Sequence, residues 1–170
     1  MDVLALSRPA LVLVDVAASV AIQVVAGYVV HRLSVETFAT DRWLYRTRPA
    51  EAGGRIYERV LRIRRWKPWL PEAGGFFRGG FDKARLSRRD AAHVARYIAE
   101  TRRAELAHWL ALAAAPLFFV FNPWYAGLVV QLYAMVANGP CIAAQRYNRI
   151  RLQRLLADRA RRQGRKIAER

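Results

Sequence analysis

Residues 106–137 read LAHWLALAAAPLFFVFNPWYAGLVVQLYAMVA. Two apolar runs stand here, Leu106–Phe121 and Trp124–Ala137, and the second continues to Ala144. Asn122-Pro123-Trp124 between them reads as a tight turn with aromatic residues at a membrane interface. The pair is therefore expected to form a helical hairpin in a bilayer. Leu106–Phe121 is short against the roughly 20 residues that a hydrocarbon core demands, and it carries Pro116. It is expected to tilt, to kink, or to begin deeper, with Thr101–Glu105 partly submerged.

Upstream, Ala10–Val30 (ALVLVDVAASVAIQVVAGYVV) is long enough to span on its own. It reads as a retained span, since no basic segment precedes it and no small-residue cleavage site closes it. Its polar residues are Asp15 and Gln23. Asp15 is either solvated near the interface or a buried partner for an arginine or a substrate hydroxyl. The expected fold is all-α: a small integral membrane protein with about three transmembrane helices plus cytoplasmic interfacial amphipathic helices. As one domain it divides into span 1 (10–30), a basic interfacial region (31–101), span 2 (102–121), span 3 (124–145) and a basic interfacial tail (146–170). In the basic region, Ile56–Trp66 and Ala91–Ala99 look amphipathic, the latter with Ser87 or Asp90 as its cap. Pro68, Pro71 and paired glycines between them argue for turns, with Phe76, Phe77 and Phe81 inserting at the interface.

Charge sets the orientation. Of 29 Lys and Arg, Arg8 alone precedes the first span, eighteen lie from Arg32 to Arg103, and ten from Arg146 onward. The Asn122 turn has none. The positive-inside rule places the basic loop and the C-terminus in the cytoplasm of a multi-pass protein. A net charge of +16 would suit nucleic acid, but apolar and basic residues here are segregated along the chain. That pattern favours anionic lipid head groups or a phosphorylated substrate, and no nucleic acid. The single cysteine, Cys141, excludes an intrachain disulfide and a cysteine-based zinc site. It reads as a packed residue or as an acyl-carrying nucleophile.

The densest polar cluster is Glu100–Trp109, running straight into an apolar helix. At about 100° per residue, Tyr97, Thr101, Ala104, Glu105 and His108 share a broad face, with Glu100 at its edge. A carboxylate three residues from an imidazole can orient it as a base, which hydroxyl acylation requires. The catalytic candidates are thus His108, Glu105 and Glu100; otherwise His108 and Trp109 mark the interface. Asn138, Ile142, Gln145 and Arg149 form a second helical stripe, with Arg146, Tyr147 and Asn148 beside it. Arg103, Arg146 and Arg149 suit a phosphate or the ester oxyanion, or else lipid anchoring. Asn138, Gln145 and Asn148 suit a sugar. The hairpin could bring the two clusters together. Trp66-Lys67 could stack on a sugar ring or sit at the interface. No metal site is expected. A metal-dependent membrane hydrolase or protease built on Glu100, Glu105 and His108, and a non-catalytic scaffold binding anionic lipid, are the alternatives.

The motifs Trp66-Lys67, Glu100-Thr101-x-Arg103-Ala104-Glu105-Leu106-x-His108-Trp109, Tyr133-Ala134-Met135-x-Ala137-Asn138-x-Pro140 and Gln145-Arg146-Tyr147-Asn148-Arg149-x-Arg151-Leu152 resemble the glycosyl-4,4'-diaponeurosporenoate acyltransferase family of carotenoid biosynthesis. The resemblance covers roughly residues 57–156. It implies a bacterial membrane enzyme that esterifies a sugar hydroxyl of a glycosylated carotenoid acid, or a related glycolipid, with a fatty acyl chain, the last step toward staphyloxanthin-like pigments. The implied partners are the bilayer, a lipid-like glycosylated acceptor and an acyl donor. That donor is acyl-CoA or acyl carrier protein, with no bound cofactor. Pro71–Gly80 and Cys141 depart from the family pattern. Three spans make a thin bundle, and a homodimer would shelter its polar face.

Overall fold

The computed structural model describes residues 7–70 and 91–169. All described regular structure is helical. The long helices are α1 (Arg8–Arg32), α4 (Ala91–Ala114) and α5 (Trp124–Ala168), and two short ones are α2 (Arg55–Arg59) and α3 (Ile63–Trp66). Three stretches are long and apolar enough to cross a membrane: Arg8–Arg32, Ala91–Val120 and Trp124–Ala168. The expected cap at Ser87 or Asp90 and the interfacial phenylalanines 76, 77 and 81 lie outside the described residues.

Two compact units divide the chain. The first takes α1 with residues 104–142; the second takes the described residues of 34–103 and 143–169.

In the first unit, α1 buries only Ala26 and Val30, and exposes Val12, Leu13, Val16, Val20 and Val24. Leu117, Val120, Val129, Leu132 and Val136 are likewise exposed. So continuous an apolar exterior is unfavourable in water and suits lipid. α4 gives way to a 3-10 run, Ala115–Val120, at Pro116. Proline has no N–H to donate, and its ring displaces the carbonyl four residues earlier. Phe121–Pro123 then turns the chain into α5, which passes through Pro140 without leaving the helix. Asn122 donates to Asp15 at 2.8 Å, so the acid of the first apolar run has a polar partner at the hairpin turn.

In the second unit, residues 34–70 are mostly turns and short helices, leaving many carbonyls without a ladder partner. Arginines on the long helices supply the missing donors. Arg102 of α4 donates to the carbonyls of Phe38 and Ala39 and pairs with Asp41. From α5, Arg146 reaches the carbonyls of Leu44 and Arg46, and Arg149 that of Tyr45. Beneath the loop, Tyr57, Ile63, Ala144, Tyr147 and Ile150 form the apolar core, with Trp66 and Leu70 packed on it.

The segment Ile56–Trp66, amphipathic by its spacing, is two short helices rather than one. Arg62 adopts φ +47° between them. Ala52, Gly53 and Gly54 also have positive φ and turn the chain sharply into α2. Glycine takes such angles without a Cβ penalty.

Candidate functional site

His108 lies on α4 within the first unit, one turn beyond Glu105. Its Nδ1 is 2.9 Å from Oδ1 of Asn138 on α5. The same oxygen accepts from Nε2 of Gln23 on α1 at 3.0 Å. Asn138 is 1 % exposed, so its amide must be satisfied inside the protein. Its Nδ2 donates to the Ala134 carbonyl at 3.0 Å. A carbonyl can only accept, so the amide nitrogen belongs on that side and Oδ1 faces His108. The hydrogen-bond network thereby puts a proton on Nδ1, and in the neutral ring the lone pair then stands on Nε2. A neutral ring in this tautomer is suited to general-base chemistry at Nε2.

Glu105 is fully buried and accepts from Nε1 of Trp109 at 3.2 Å. Gln23 and Asn138 also line a small crevice, whose remaining wall is largely apolar and includes Ala111, Ala115 and Phe118.

The other expected site residues belong to the second unit, where most are tied into its framework. Glu100 and Arg103 pair with one another at 3.2 Å on α4. Arg146 pairs with Glu51, Nε to Oε1 at 2.8 Å and Nη2 to Oε2 at 3.1 Å. The Tyr57 hydroxyl and the Arg48 backbone N–H also donate to Glu51. Burial pushes this carboxyl up, but the bonds from Arg146, Tyr57 and Arg48 outweigh it and hold its pKa at about 2. Burial and the bond to Glu51 push the Tyr57 hydroxyl up in turn. Tyr147 donates to Glu58 at 2.7 Å and receives Arg64 at 3.2 Å. The bond from Tyr147, and next the one that Arg64 Nη2 donates to Glu58 at 2.7 Å, hold Glu58 below its ordinary range. Lys67 donates to Asn148 at 2.6 Å, and Trp66 donates to the Leu61 carbonyl at 2.7 Å. Arg149 is 1 % exposed. Arg146 and Arg149, expected from their residue type to meet a phosphate, thus have their guanidinium groups inside the fold, bonded to Glu51 and to loop carbonyls. Gln145 is half-buried on α5.

Gln23, Glu51, Tyr57 and Arg102 had no assigned role in the sequence reading, although Gln23 was visible as the one amide of an apolar run. Among the described residues no three His, Cys, Asp or Glu side chains gather as a metal-binding group.

A family model for glycosyl-4,4'-diaponeurosporenoate acyltransferase matches residues 41–158. A protein of that name from Staphylococcus haemolyticus is 36% identical over 103 residues, 61% of this chain and 60% of the relative. Another, from Staphylococcus aureus strain bovine RF122, is 30% identical over 125 residues, 74% of this chain and 75% of the relative. A third, from Staphylococcus aureus strain USA300, is 32% identical over 106 residues, 62% and 64% of the two chains. The matched stretch thus spans about 60% to 75% of these relatives. No solved structure matches.

Proposed function

From membership of the glycosyl-4,4'-diaponeurosporenoate acyltransferase family, to which this chain belongs, we propose that the protein is a membrane acyltransferase that esterifies a sugar hydroxyl of a glycosylated carotenoid acid, or a related glycolipid, with a fatty acyl chain. The observation that carries the mechanism is the contact between His108 and Asn138. Nε2 of His108 takes the proton from the acceptor hydroxyl as that oxygen attacks the carbonyl carbon of an acyl thioester. The tetrahedral intermediate collapses, the carbon–sulfur bond breaks, and the proton returns from Nε2 to the leaving thiolate. One ester and one free thiol result.

The donor is acyl-CoA or acyl carrier protein. The exposed cations of the α5 tail, including Arg151, Arg161 and Lys166, provide positive charge suited to the donor's phosphates. The distribution of Lys and Arg along the chain supports a cytoplasmic position for the basic loop and the C-terminus. Glu105, fully buried on the same helix, supports α4 through Trp109.

The test is acyl transfer by purified protein in detergent. The donors are labelled acyl-CoA and acyl carrier protein, the acceptors glycolipids and a glycosylated carotenoid acid. Mass spectrometry should find a product heavier by one acyl group, esterified on the sugar. Transfer to water alone would point instead to a hydrolase.

A further inference from the structure

Gln23 lies on α1, ahead of the stretch that the family model matches, and no role follows for it from that match. Its Nε2–H nevertheless meets the same oxygen of Asn138 that holds His108. We propose that Gln23 is a positioning residue: by donating to Asn138 Oδ1, it holds the Asn138 amide in the orientation that keeps the proton of His108 on Nδ1 and the lone pair on Nε2. The inference rests on the reading of His108 as the general base.

The reasoning is one of counted donors and acceptors. Oδ1 of Asn138 has two lone pairs, and Gln23 and His108 supply one N–H each. The Ala134 carbonyl takes the amide N–H on the other side. Three of the four hydrogen-bonding directions of the buried side chain are thus specified by a partner of the opposite kind. If the amide turned over, its nitrogen would face the Gln23 Nε2–H and its oxygen would face the Ala134 carbonyl. It would also offer His108 a donor, drawing the lone pair to Nδ1 and the proton to Nε2. A base in that tautomer cannot take a proton at Nε2. Without Gln23, only the Ala134 carbonyl and His108 itself oppose the turn.

Gln23→Met separates this role from a merely structural one. It keeps the length of the side chain, removes its donor, and suits an apolar helix. Full-length protein labelled with 15N-histidine, in detergent micelles, reports the tautomer directly. The chain has three histidines, so loss of one signal in His108→Gln assigns the resonance. Wild type should show protonated Nδ1 and unprotonated Nε2. Gln23→Met should show a mixture of both tautomers and, where transfer is measurable, a kcat lower by about tenfold with KM little changed. Gln23→Leu should behave in the same way. An unaltered His108 tautomer in both variants would overturn the proposal. The tautomer is read without any substrate, so a failure of the acyltransfer reading would appear in the transfer assay and leave this result standing.

Discussion

Arg146 grips Glu51 with two parallel hydrogen bonds, and residues 95 positions apart in the chain thereby become one structural unit. Tyr57 and the Arg48 backbone complete the coordination of the carboxylate. Bidentate, charge-assisted bonds of this kind are the strong ones, and breaking a buried pair from one side leaves a charge uncompensated. Arg146→Ala should therefore destabilise the protein by about 3–5 kcal/mol. The double variant Glu51→Gln/Arg146→Met should lose much less. Thermal unfolding in detergent compares them; equal losses would contradict the ion-pair account.

The same pair makes stability sensitive to acid. Glu51 has a folded-state pKa of about 2 against an ordinary 4.5. A depressed carboxylate contributes stability in full above the unfolded value and loses it as pH falls through the folded one. The contribution should hold above about pH 4.5 and fade toward pH 2, amounting to on the order of 2–3 kcal/mol. Glu51→Gln should flatten this part of the pH–stability curve. A curve of wild-type steepness in that variant would assign the acid sensitivity elsewhere.

Gly54 sits at φ +97°, where a side chain is strained, and a Cβ there would lie 3.4 Å from Ile150 Cγ2. Gly54→Ala should lower stability by about 1–2 kcal/mol, chiefly through backbone strain. Gly139 offers a control, because a Cβ there would meet nothing within 4 Å. Gly139→Ala, inside α5, should be neutral or stabilising. Equal destabilisation by the two would remove the conformational argument.

Ile63 is fully buried against Tyr57, Tyr147 and Ile150. Ile63→Ala should cost about 2–5 kcal/mol, the lost transfer energy plus a cavity. An unfolding midpoint unchanged from wild type would mean that this core does not form.

The spans were legible because length and uninterrupted apolarity are local properties. Ala10–Val30 falls within α1, and the Asn122-Pro123 break falls between the 3-10 run and α5. The hairpin also allowed His108 to be set near Asn138, since both positions follow from helical spacing on either side of one turn. What periodicity cannot show is a non-glycine residue such as Arg62 at positive φ, so Ile56–Trp66 looked continuous. Nor can it show long-range polar pairing. Gln23 is 115 residues from Asn138, and no local rule prefers it to Asp15 as a partner. The arginines were read by residue type as ligands for phosphate. Arg146 and Arg149 instead satisfy the carbonyls of an irregular loop, as does Arg102, which had no assigned role in the sequence reading; that demand exists only once the loop is folded.

The most direct test of the central claim compares wild type with His108→Ala in the acyl-transfer assay, using protein whose membrane insertion and thermal unfolding match wild type. The account predicts a fall in transfer of about 100-fold or more, the scale of a lost general base. Transfer at the wild-type rate by His108→Ala would contradict it.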